Sequence, residues 1–307
     1  MNQHTIKQPI KTKGVGLHTG TTTSMKIFPA PENTGIVFIK KTKSGPLFIP
    51  VLSQYVTNTT LSTDIGKDQE SIRTIEHLMS ALAGCSIDNV YIEIEGDEIP
   101  ALDGSASPFC FLIREAGIIE QSEPKKFLKI NKTVKVGDEN GWAMLEPYDG
   151  FSLDFTIDFD HPLIKRSTYS IDINHKNYWK QISRARTFGF IKDTEKLHKS
   201  NAALGASTQN TIVLREFDVL NKEGLRYPNE FVRHKILDAI GDLYVSGYQI
   251  MGKYTAYASG HRINDMLLQG LFEKNAGTII QPTHLNSVNR NYNIHTGEIN
   301  EQLGRAS

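Results

Sequence analysis

Cysteine is scarce in this chain and long apolar runs are absent. Two of the 307 residues are cysteines, Cys85 and Cys110, too few for a disulfide framework or a thiolate zinc site. Both stand among apolar neighbours, so we expect them to be small buried hydrophobic residues. The sequence has no run of about eighteen apolar residues and no apolar signal segment near its start. It therefore predicts a cytoplasmic protein without a membrane-spanning helix.

Net charge is absent as well. Lys plus Arg and Asp plus Glu both number 34, so no overall field attracts nucleic acid or an anionic membrane surface. A basic surface motif with interleaved aromatics is also lacking, which argues against a nucleic-acid partner. The 39% of hydrophobic and 22% of charged residues are typical of a folded soluble protein.

The length predicts two domains, since 307 residues exceed the usual size of one hydrophobic core. A polar, proline-containing segment at 121–126 marks the boundary. We therefore predict an N-terminal α+β domain over residues 1–124, a C-terminal α+β domain over 125–275 and a tail over 276–307. The tail is rich in Asn; its first part is predicted to pair as strands and its last residues to be disordered.

In the predicted N-terminal domain the order of elements is helix, strand, helix. An apolar stripe predicts a helix over residues 71–83 that stops at Gly84. A strand follows at 90–95. Ser107 is predicted to cap a second helix, which ends at Gly117.

The same order recurs in the second half. Helices are predicted at 229–244 and 262–272, with a strand at 248–258 between them. Alignment of the two first helices places His77 on His234 and a glycine on a glycine. The repeat predicts a duplicated α+β unit.

The longest predicted helix carries polar groups at a regular spacing. His234, Asp238 and Asp242 follow at four-residue steps and stack along one face. The opposite ridge is apolar and consists of Val232, Ile236, Leu237, Ile240 and Leu243. A solvated polar face is one interpretation. A metal site is the other, because a cation would offset the repulsion of about 0.2–0.5 kcal/mol between the two aspartates.

Catalytic zinc sites use three protein ligands and one open position. His77, His234 and Asp238 supply such a set if the two duplicated helices face each other. Adjacent Glu76 lies away from the apolar stripe of its helix and would be the base for a water whose pKa zinc lowers to ~7. Such sites hydrolyse amides or esters, so the residues alone predict a two-domain metallohydrolase.

Two further positions join this set. His261 is a second candidate histidine that Asp242 could hold in its cationic form, although a lone histidine there is more often structural. Lys235 adds positive charge beside a ligand, for an anionic substrate or for charge developing in the transition state. A merely solvated lysine is the alternative.

Six motifs, in order, resemble those of the UDP-3-O-acyl-N-acetylglucosamine deacetylases: GVGLHTG (14–20), TIEH (74–77), DGSASPF (103–109), SRARTFG (183–189), FVRHKILDAIGD (231–242) and SGH (259–261). The resemblance implies two duplicated α+β domains whose helical layers pack between two outer β-sheets. It also implies a zinc amidase of lipid A biosynthesis with one zinc ion per chain. Such an enzyme removes acetate from the glucosamine nitrogen of a UDP sugar that carries a 3-O-linked hydroxyacyl chain. Replacement of zinc by iron(II) is left open.

The resemblance implies the same metal ligands and general base as the residue pattern. It also implies that His261 is the electrostatic stabiliser or general acid and that Asp242 is its partner. Lys235 matches a position that contacts substrate. Thr187 is similar to the hydroxyl donor that meets the oxyanion.

Substrate contacts are implied in the same way. Phe159 matches the aromatic residue that stacks on uracil, while a core phenylalanine is the alternative. Phe190 and Asp193 match further nucleotide-side positions. Leu17 and His18 match residues near the sugar and the start of the acyl chain.

An inserted segment at residues 193–213 resembles the apolar passage for the acyl chain, where each buried methylene contributes ~0.8 kcal/mol. Ala203 and Ala206 are its predicted contacts. Ala206 departs from the family's usual glycine and is predicted to narrow the passage. Ala258 stands where many relatives have lysine, which predicts a weaker contact with the diphosphate.

Two other functions remain compatible with a duplicated α+β chain. One is a catalytically silent relative that binds the nucleotide lipid; the intact Glu76 and His261 argue against it, and acetate release would exclude it. The other is a nucleic-acid-binding protein, whose sign would be salt-sensitive binding to RNA.

We expect the protein to be a monomer.

Overall fold

The computed structural model of the chain describes residues 1–282. The first part contains strands β1 (Asn2–Ile6), β2 (Ile10–Val15), β3 (Thr22–Pro29), β4 (Ile36–Thr42), β5 (Gly45–Pro50), β6 (Val56–Asn58), β7 (Asp64–Lys67), β8 (Glu70–Ile72), β9 (Val90–Glu95) and β10 (Ile118–Pro124), with helices α1 (Glu76–Gly84) and α2 (Ser107–Ala116). Its main sheet has five strands in the order β2-β3-β9-β4-β5.

The second part contains strands β11 (Phe127–Ile130), β12 (Val134–Asp138), β13 (Gly141–Glu146), β14 (Phe151–Asp158), β15 (Arg166–Asp172), β16 (Phe188–Phe190), β17 (Ile212–Leu214), β18 (Gln249–Tyr257) and β19 (Gly277–Ile280). Its helices are α3 (His175–Asn177), α4 (Thr194–Lys199), α5 (Glu230–Tyr244) and α6 (His261–Glu273). Seven strands form one sheet in the order β12-β13-β18-β11-β19, with β14 also beside β18 and β15 beside β14. The predicted α+β class is confirmed.

The duplicated order of elements recurs in the sheets. β9 follows α1 and pairs antiparallel with β3 and parallel with β4. β18 follows α5 and pairs antiparallel with β13 and parallel with β14. The strands that follow α1 and α5 therefore both lie inside their sheets. β9 has one parallel and one antiparallel neighbour, whereas β18 has antiparallel β13 and two parallel neighbours, β14 and β11.

Helices α1 and α5 meet between the halves. α1 packs against α5, and nearly every residue of both helices is buried. The solvated-face interpretation of α5 is therefore wrong, because α1 from the other half covers the polar ridge. The apolar ridge is buried as predicted, so the hydrophobic pattern of α5 described one of its two buried faces.

Two predicted helix starts are wrong. The helix expected at 71–83 begins at Glu76, and residues 70–72 form β8 instead. Thr74 has a φ of 59°, a left-handed backbone that a helix cannot continue through. In α2 the cap is Ala106 rather than Ser107. The predicted end of α2 is confirmed, since Gly117 terminates it with a φ of 77°.

Only two residues connect the halves, since β10 ends at Pro124 and β11, which belongs to another sheet, begins at Phe127. Lys125 is fully buried there and its Nζ lies 2.9 Å from Asp88 Oδ1. The division into domains at residue 124 stays a prediction. β19 pairs antiparallel with β11 in the part of the tail predicted to form strands. The end of the tail, predicted to be disordered, lies outside the described residues.

Within residues 1–282, no helix is both long and apolar enough to cross a membrane.

Candidate metal centre

Three buried side chains converge where α1 meets α5. His77 comes from the first turn of α1, and His234 and Asp238 come from successive turns of α5. Asp238 Oδ1 lies 3.4 Å from His77 Nε2 and 3.3 Å from His234 Nε2. One ligand atom from each residue lies within 4.8 Å of the other two. The structure thus brings together the three predicted metal ligands, although 157 positions (234 minus 77) separate the histidines in sequence.

The carboxylate of Asp238 tests whether this set suits a cation. Its Oδ2 accepts a hydrogen bond from Lys235 Nζ at 2.8 Å. Its Oδ1 is buried and has no hydrogen-bond partner within the described part of the chain. Leaving a buried acceptor unsatisfied costs about 1–3 kcal/mol, and more for a charged one. A cation between Oδ1 and the two imidazole nitrogens would satisfy it, so the residues present fit a metal ion.

The orientation of His234 leaves one nitrogen for such an ion. His234 Nδ1 lies 3.0 Å from the carbonyl oxygen of Ala185. A carbonyl only accepts, so Nδ1 carries the hydrogen and Nε2 keeps its lone pair. Burial lowers the pKa of His234 to about 3. The ring is therefore neutral at pH 7, the form that binds metals.

A glycine allows the two helices to approach. A Cβ on Gly241 of α5 would lie 2.0 Å from the carbonyl oxygen of Glu76 in α1. Any larger residue would push α1 away from α5. The glycine thus permits the distance at which His77 reaches the two ligands of α5.

Glu76 is buried beside these three side chains. Its Oε2 accepts a hydrogen bond from the backbone N–H of Thr63 at 3.0 Å, and its Oε1 lies 3.9 Å from His261 Nε2. Burial raises the pKa of Glu76 to about 7, against the opposing charges of His261 and His77. A carboxylate with such a pKa can accept and return a proton near neutral pH.

His261 is paired with Asp242, as the sequence predicted. His261 Nδ1 lies 2.9 Å from Asp242 Oδ2. Burial works against a charged ring, but the carboxylates of Asp242 and then Glu76 raise the pKa of His261 to about 9. The ring is therefore cationic at neutral pH, with Nε2 directed towards Glu76.

Two residues that orient this pair escaped the sequence analysis. Thr63 Oγ1 donates to Asp242 Oδ1 at 2.6 Å, and Asn264 Nδ2 donates to Oδ2 at 2.8 Å. Asn264 lies three residues after His261, a spacing that places both side chains on one side of α6. This spacing could have indicated the role of Asn264. Thr63 lies in a connecting loop, where no periodic pattern could have indicated its role.

Lys235 is held in place rather than merely solvated, through its hydrogen bond to Asp238. Although burial disfavours its charge, Asp238 raises the pKa of Lys235. A cavity of about 310 Å³ opens beside it. The residues that line this cavity are Thr59, Thr60, Leu61, Lys235, Gly260, His261, Arg262 and Ile263. Basic side chains and hydroxyls thus line the space next to the candidate metal ligands.

Thr187 lies two residues after Ala185, the residue that orients His234. Its backbone N–H donates to the Gly104 carbonyl at 2.8 Å, and its own carbonyl accepts from the Ile212 N–H at 2.8 Å. The side chain is half-buried. The backbone of the predicted hydroxyl donor is thus fixed on both sides.

An aromatic cluster leads away from the metal ligands. Phe188, which the sequence analysis missed, has its ring 6.3 Å from that of His234 and 5.6 Å from that of Phe159. Phe190 lies 5.9 Å from Phe159. Phe159 is half-buried and lines an open cavity of about 660 Å³ with Asp158, Asp160, His161, Pro162, Lys165 and Arg166. Asp193 ends a short helical turn just after Phe190.

The glycine-flanked turn at residues 14–20 holds His18 and Leu17, both buried. Glu98 fixes this turn by accepting the backbone N–H of His18 at 2.8 Å; its long-range role had no sequence signal. The backbone N–H of Ala203 lies 3.4 Å from His18 Nδ1. Ala206 is exposed. The inserted segment therefore reaches the turn through Ala203.

Comparisons with known proteins identify relatives of this chain over most of its length. The family model of UDP-3-O-acyl N-acetylglycosamine deacetylase matches residues 3–273. A protein from Shewanella oneidensis described as UDP-3-O-acyl-N-acetylglucosamine deacetylase is 51% identical over 272 residues, 88% of this chain and 89% of its own. A protein of the same description from Pseudoalteromonas atlantica is 50% identical over 279 residues, 90% of this chain and 92% of its own.

Proposed function

Because the chain belongs to the UDP-3-O-acyl-N-acetylglucosamine deacetylase family, we propose that it hydrolyses the acetamide of UDP-3-O-(3-hydroxyacyl)-N-acetylglucosamine and releases acetate, in lipid A biosynthesis. The observation that carries this proposal is the convergence of His77, His234 and Asp238 beside Glu76. Amide hydrolysis needs an activated water and a polarised carbonyl, and this set of residues suits both tasks.

The proposal includes one zinc ion per chain, held by His77, His234 and Asp238. Two imidazoles and one carboxylate with an open fourth position are a ligand set of catalytic zinc sites, although non-haem iron(II) also uses this combination. When bound, zinc lowers the pKa of a water and polarises a carbonyl oxygen. The hydrogen bond between His234 and Ala185 would keep the imidazole oriented for it.

Glu76 and His261 divide the proton transfers between them. Glu76, with a pKa of about 7, takes the proton of the attacking water. His261, cationic beside Asp242, stabilises the negative charge that develops on the substrate and is the acid for the departing amine. Thr187 donates its hydroxyl hydrogen to the oxyanion. Between pH 7 and pH 9, ionised Glu76 and protonated His261 are thus present together, as acid and base chemistry requires.

The nucleotide would lie along the aromatic cluster. Phe159 offers a ring face to uracil, and Phe190 and Asp193 contribute on the same side. Lys235 and the neighbouring Arg262 line the cavity next to His261 and supply positive charge for the diphosphate. Arg262 is exposed. Its positive charge replaces part of the diphosphate contact that Ala258 cannot make.

The acyl chain would begin at Leu17 and His18 and continue along residues 193–213. Ala203 lies against His18 and supports this path. We also propose that the protein is monomeric and cytoplasmic.

A direct test of the function is acetate release. The zinc-loaded protein, incubated with the UDP-linked acylated N-acetylglucosamine under single-turnover conditions, should yield one equivalent each of acetate and free amine. A chelator should abolish the reaction and added zinc should restore it. Tight binding of the substrate without acetate would instead identify a catalytically silent relative.

The pH profile provides a second prediction. Activity should require ionised Glu76 and protonated His261. The plot of activity against pH should therefore be bell-shaped, with an acid limb near pH 7 from Glu76 and an alkaline limb near pH 9 from His261. A bound cation lowers both values by repelling protons, so both limbs lie at or below these positions. Asp242→Asn removes the negative charge that most raises the pKa of His261. Its alkaline limb should therefore move to lower pH, and an unmoved limb in kcat/KM would contradict the role of this pair.

The insert provides a third prediction. Ala206→Gly should increase relative hydrolysis of longer acyl chains, because a methyl group is removed from the predicted passage. Each additional buried methylene contributes ~0.8 kcal/mol, or about fourfold in kcat/KM. Rates should be compared across substrates that differ only in acyl length. Matching profiles for the two proteins would refute a role of Ala206 in chain length.

A further inference from the structure

A buried ion pair lies beside the metal centre without contributing a ligand. Arg186 Nε donates to Glu230 Oε1 at 2.9 Å, and Nη2 donates to Oε2 at 3.2 Å. The two side chains are 2% and 0% exposed. Burial costs several kcal/mol per ion, and apolar residues of similar volume often serve a fold as well or better. Fold stability alone is therefore a weak explanation for this pair.

The position of the pair offers a better one. Glu230 is the first residue of α5, one helical turn before His234. Arg186 stands between Ala185, whose carbonyl orients His234, and Thr187. The segment 185–187 is therefore tied to α5 twice, one turn apart, through the ion pair and through the ligand histidine itself.

Glu230 also binds the backbone of both neighbouring segments. Its Oε1 accepts the backbone N–H of Arg186 at 3.0 Å, and its Oε2 accepts that of Arg226. The guanidinium reaches further, to Glu223 Oε1 at 2.8 Å and to the Gly224 carbonyl at 2.7 Å. The planar guanidinium fixes the direction of its hydrogen bonds as well as their length, whereas a lysine ammonium does not fix their direction.

We propose that Arg186 and Glu230 are positioning residues that set the segment 185–187 on α5. Through the Ala185 carbonyl, the pair holds His234 with Nε2 towards the metal. Because Thr187 directly follows Arg186, the pair also holds Thr187 at the reacting carbonyl. The first role concerns metal binding alone, whereas the second rests on the proposed deacetylation.

Zinc affinity tests the first role without substrate. Arg186→Met in the full chain should weaken zinc binding, measured by competition with a chromophoric chelator, by about 10- to 100-fold, the usual effect of losing an outer partner of a metal ligand. Lys125→Met is the matched control. It removes a second buried ion pair, with Asp88, that contacts none of the candidate ligands, so its zinc affinity should equal that of the unchanged protein.

Arg186→Met could fail to fold, so Arg186→Lys is a second variant. It keeps the buried positive charge and loses only the planar guanidinium. We expect its zinc affinity to fall as well, and the visible absorption of its Co²⁺ form to differ from that of the unchanged protein and of Lys125→Met. Unchanged zinc affinity and an unchanged Co²⁺ spectrum in Arg186→Lys would overturn the proposal. So would an equal loss of affinity in Arg186→Met and Lys125→Met, since both would then act through general stability.

The second role has its own measurement. With zinc at saturating concentration, Arg186→Lys should lower kcat and leave KM nearly unchanged, because Thr187 acts on the transition state. A KM effect alone would contradict this role and leave the metal-binding result intact. If no acetate is released even by the unchanged protein, the deacetylase proposal fails while the zinc measurements still decide the first role.

Discussion

Replacement of Glu76 by alanine is expected to leave one equivalent of zinc bound and to lower kcat/KM by about 10²- to 10⁴-fold, the usual contribution of a general base. Glu76 lies beside the proposed ligand His77 but is not one of the three groups that converge. Its burial and its pKa of about 7 suit proton transfer rather than permanent charge pairing. Loss of the carboxylate therefore removes the base and leaves the metal site.

Glu76→Gln sharpens this prediction. The amide keeps the shape of the side chain and an oxygen that can accept the Thr63 N–H, but it cannot take a proton. It should lose as much activity as Glu76→Ala while folding normally. Glu115→Gln is a suitable control, because Glu115 is exposed on α2. Turnover by Glu76→Gln equal to that of Glu115→Gln would show that another group is the base.

His234→Ala is expected to lose both metal and activity. Only His77 and Asp238 would remain of the three ligands, and a two-ligand site does not hold zinc against dilution or a weak chelator. Bound zinc per chain, measured by elemental analysis after dialysis, should fall close to zero. Acetate release should fall with it, by at least the factor expected for Glu76→Ala.

His198→Ala is the control for this variant. His198 is exposed on α4 and lies in the inserted segment, away from the three ligands. It should keep its full zinc content after the same dialysis. Stoichiometric zinc in dialysed His234→Ala would contradict the ligand assignment, whatever its activity.

Local patterns in the sequence predicted the elements that bear the ligands. The four-residue spacing in α5 predicted that His234 and Asp238 lie on one face of the helix, because helix geometry alone fixes this arrangement. The internal repeat gave His77 as the third member. Its approach to α5 followed from no local pattern and was implied only by the family resemblance, since it depends on the packing of α1 against Gly241, a contact between distant parts of the chain.

The start of α1 was mispredicted for a physical reason. The apolar stripe continues before Glu76, but Thr74 takes a left-handed backbone while its N–H and hydroxyl bond to Asp64 and Glu98. Such strain costs of the order of 1–3 kcal/mol and persists only where the surroundings compensate for it. Hydrogen bonds to residues 10 and 24 positions away leave no periodic signal.

The groups that orient the candidate site residues were the least predictable. Thr63, Glu98 and Phe188 lie in a loop, before a turn and on a short strand, and each acts through a contact across the fold. The polar face of α5 was open to two interpretations for the same reason. Its burial depends on α1, which no pattern within α5 reports.

The most direct measurement is a crystallographic map of anomalous scattering at the zinc absorption edge, from crystals of the zinc-loaded protein. We predict one peak per chain, about 2.0–2.2 Å from His77 Nε2, His234 Nε2 and an oxygen of Asp238. Zinc bound at any other residues in a preparation that releases acetate, or active crystals without zinc at these three, would contradict the account.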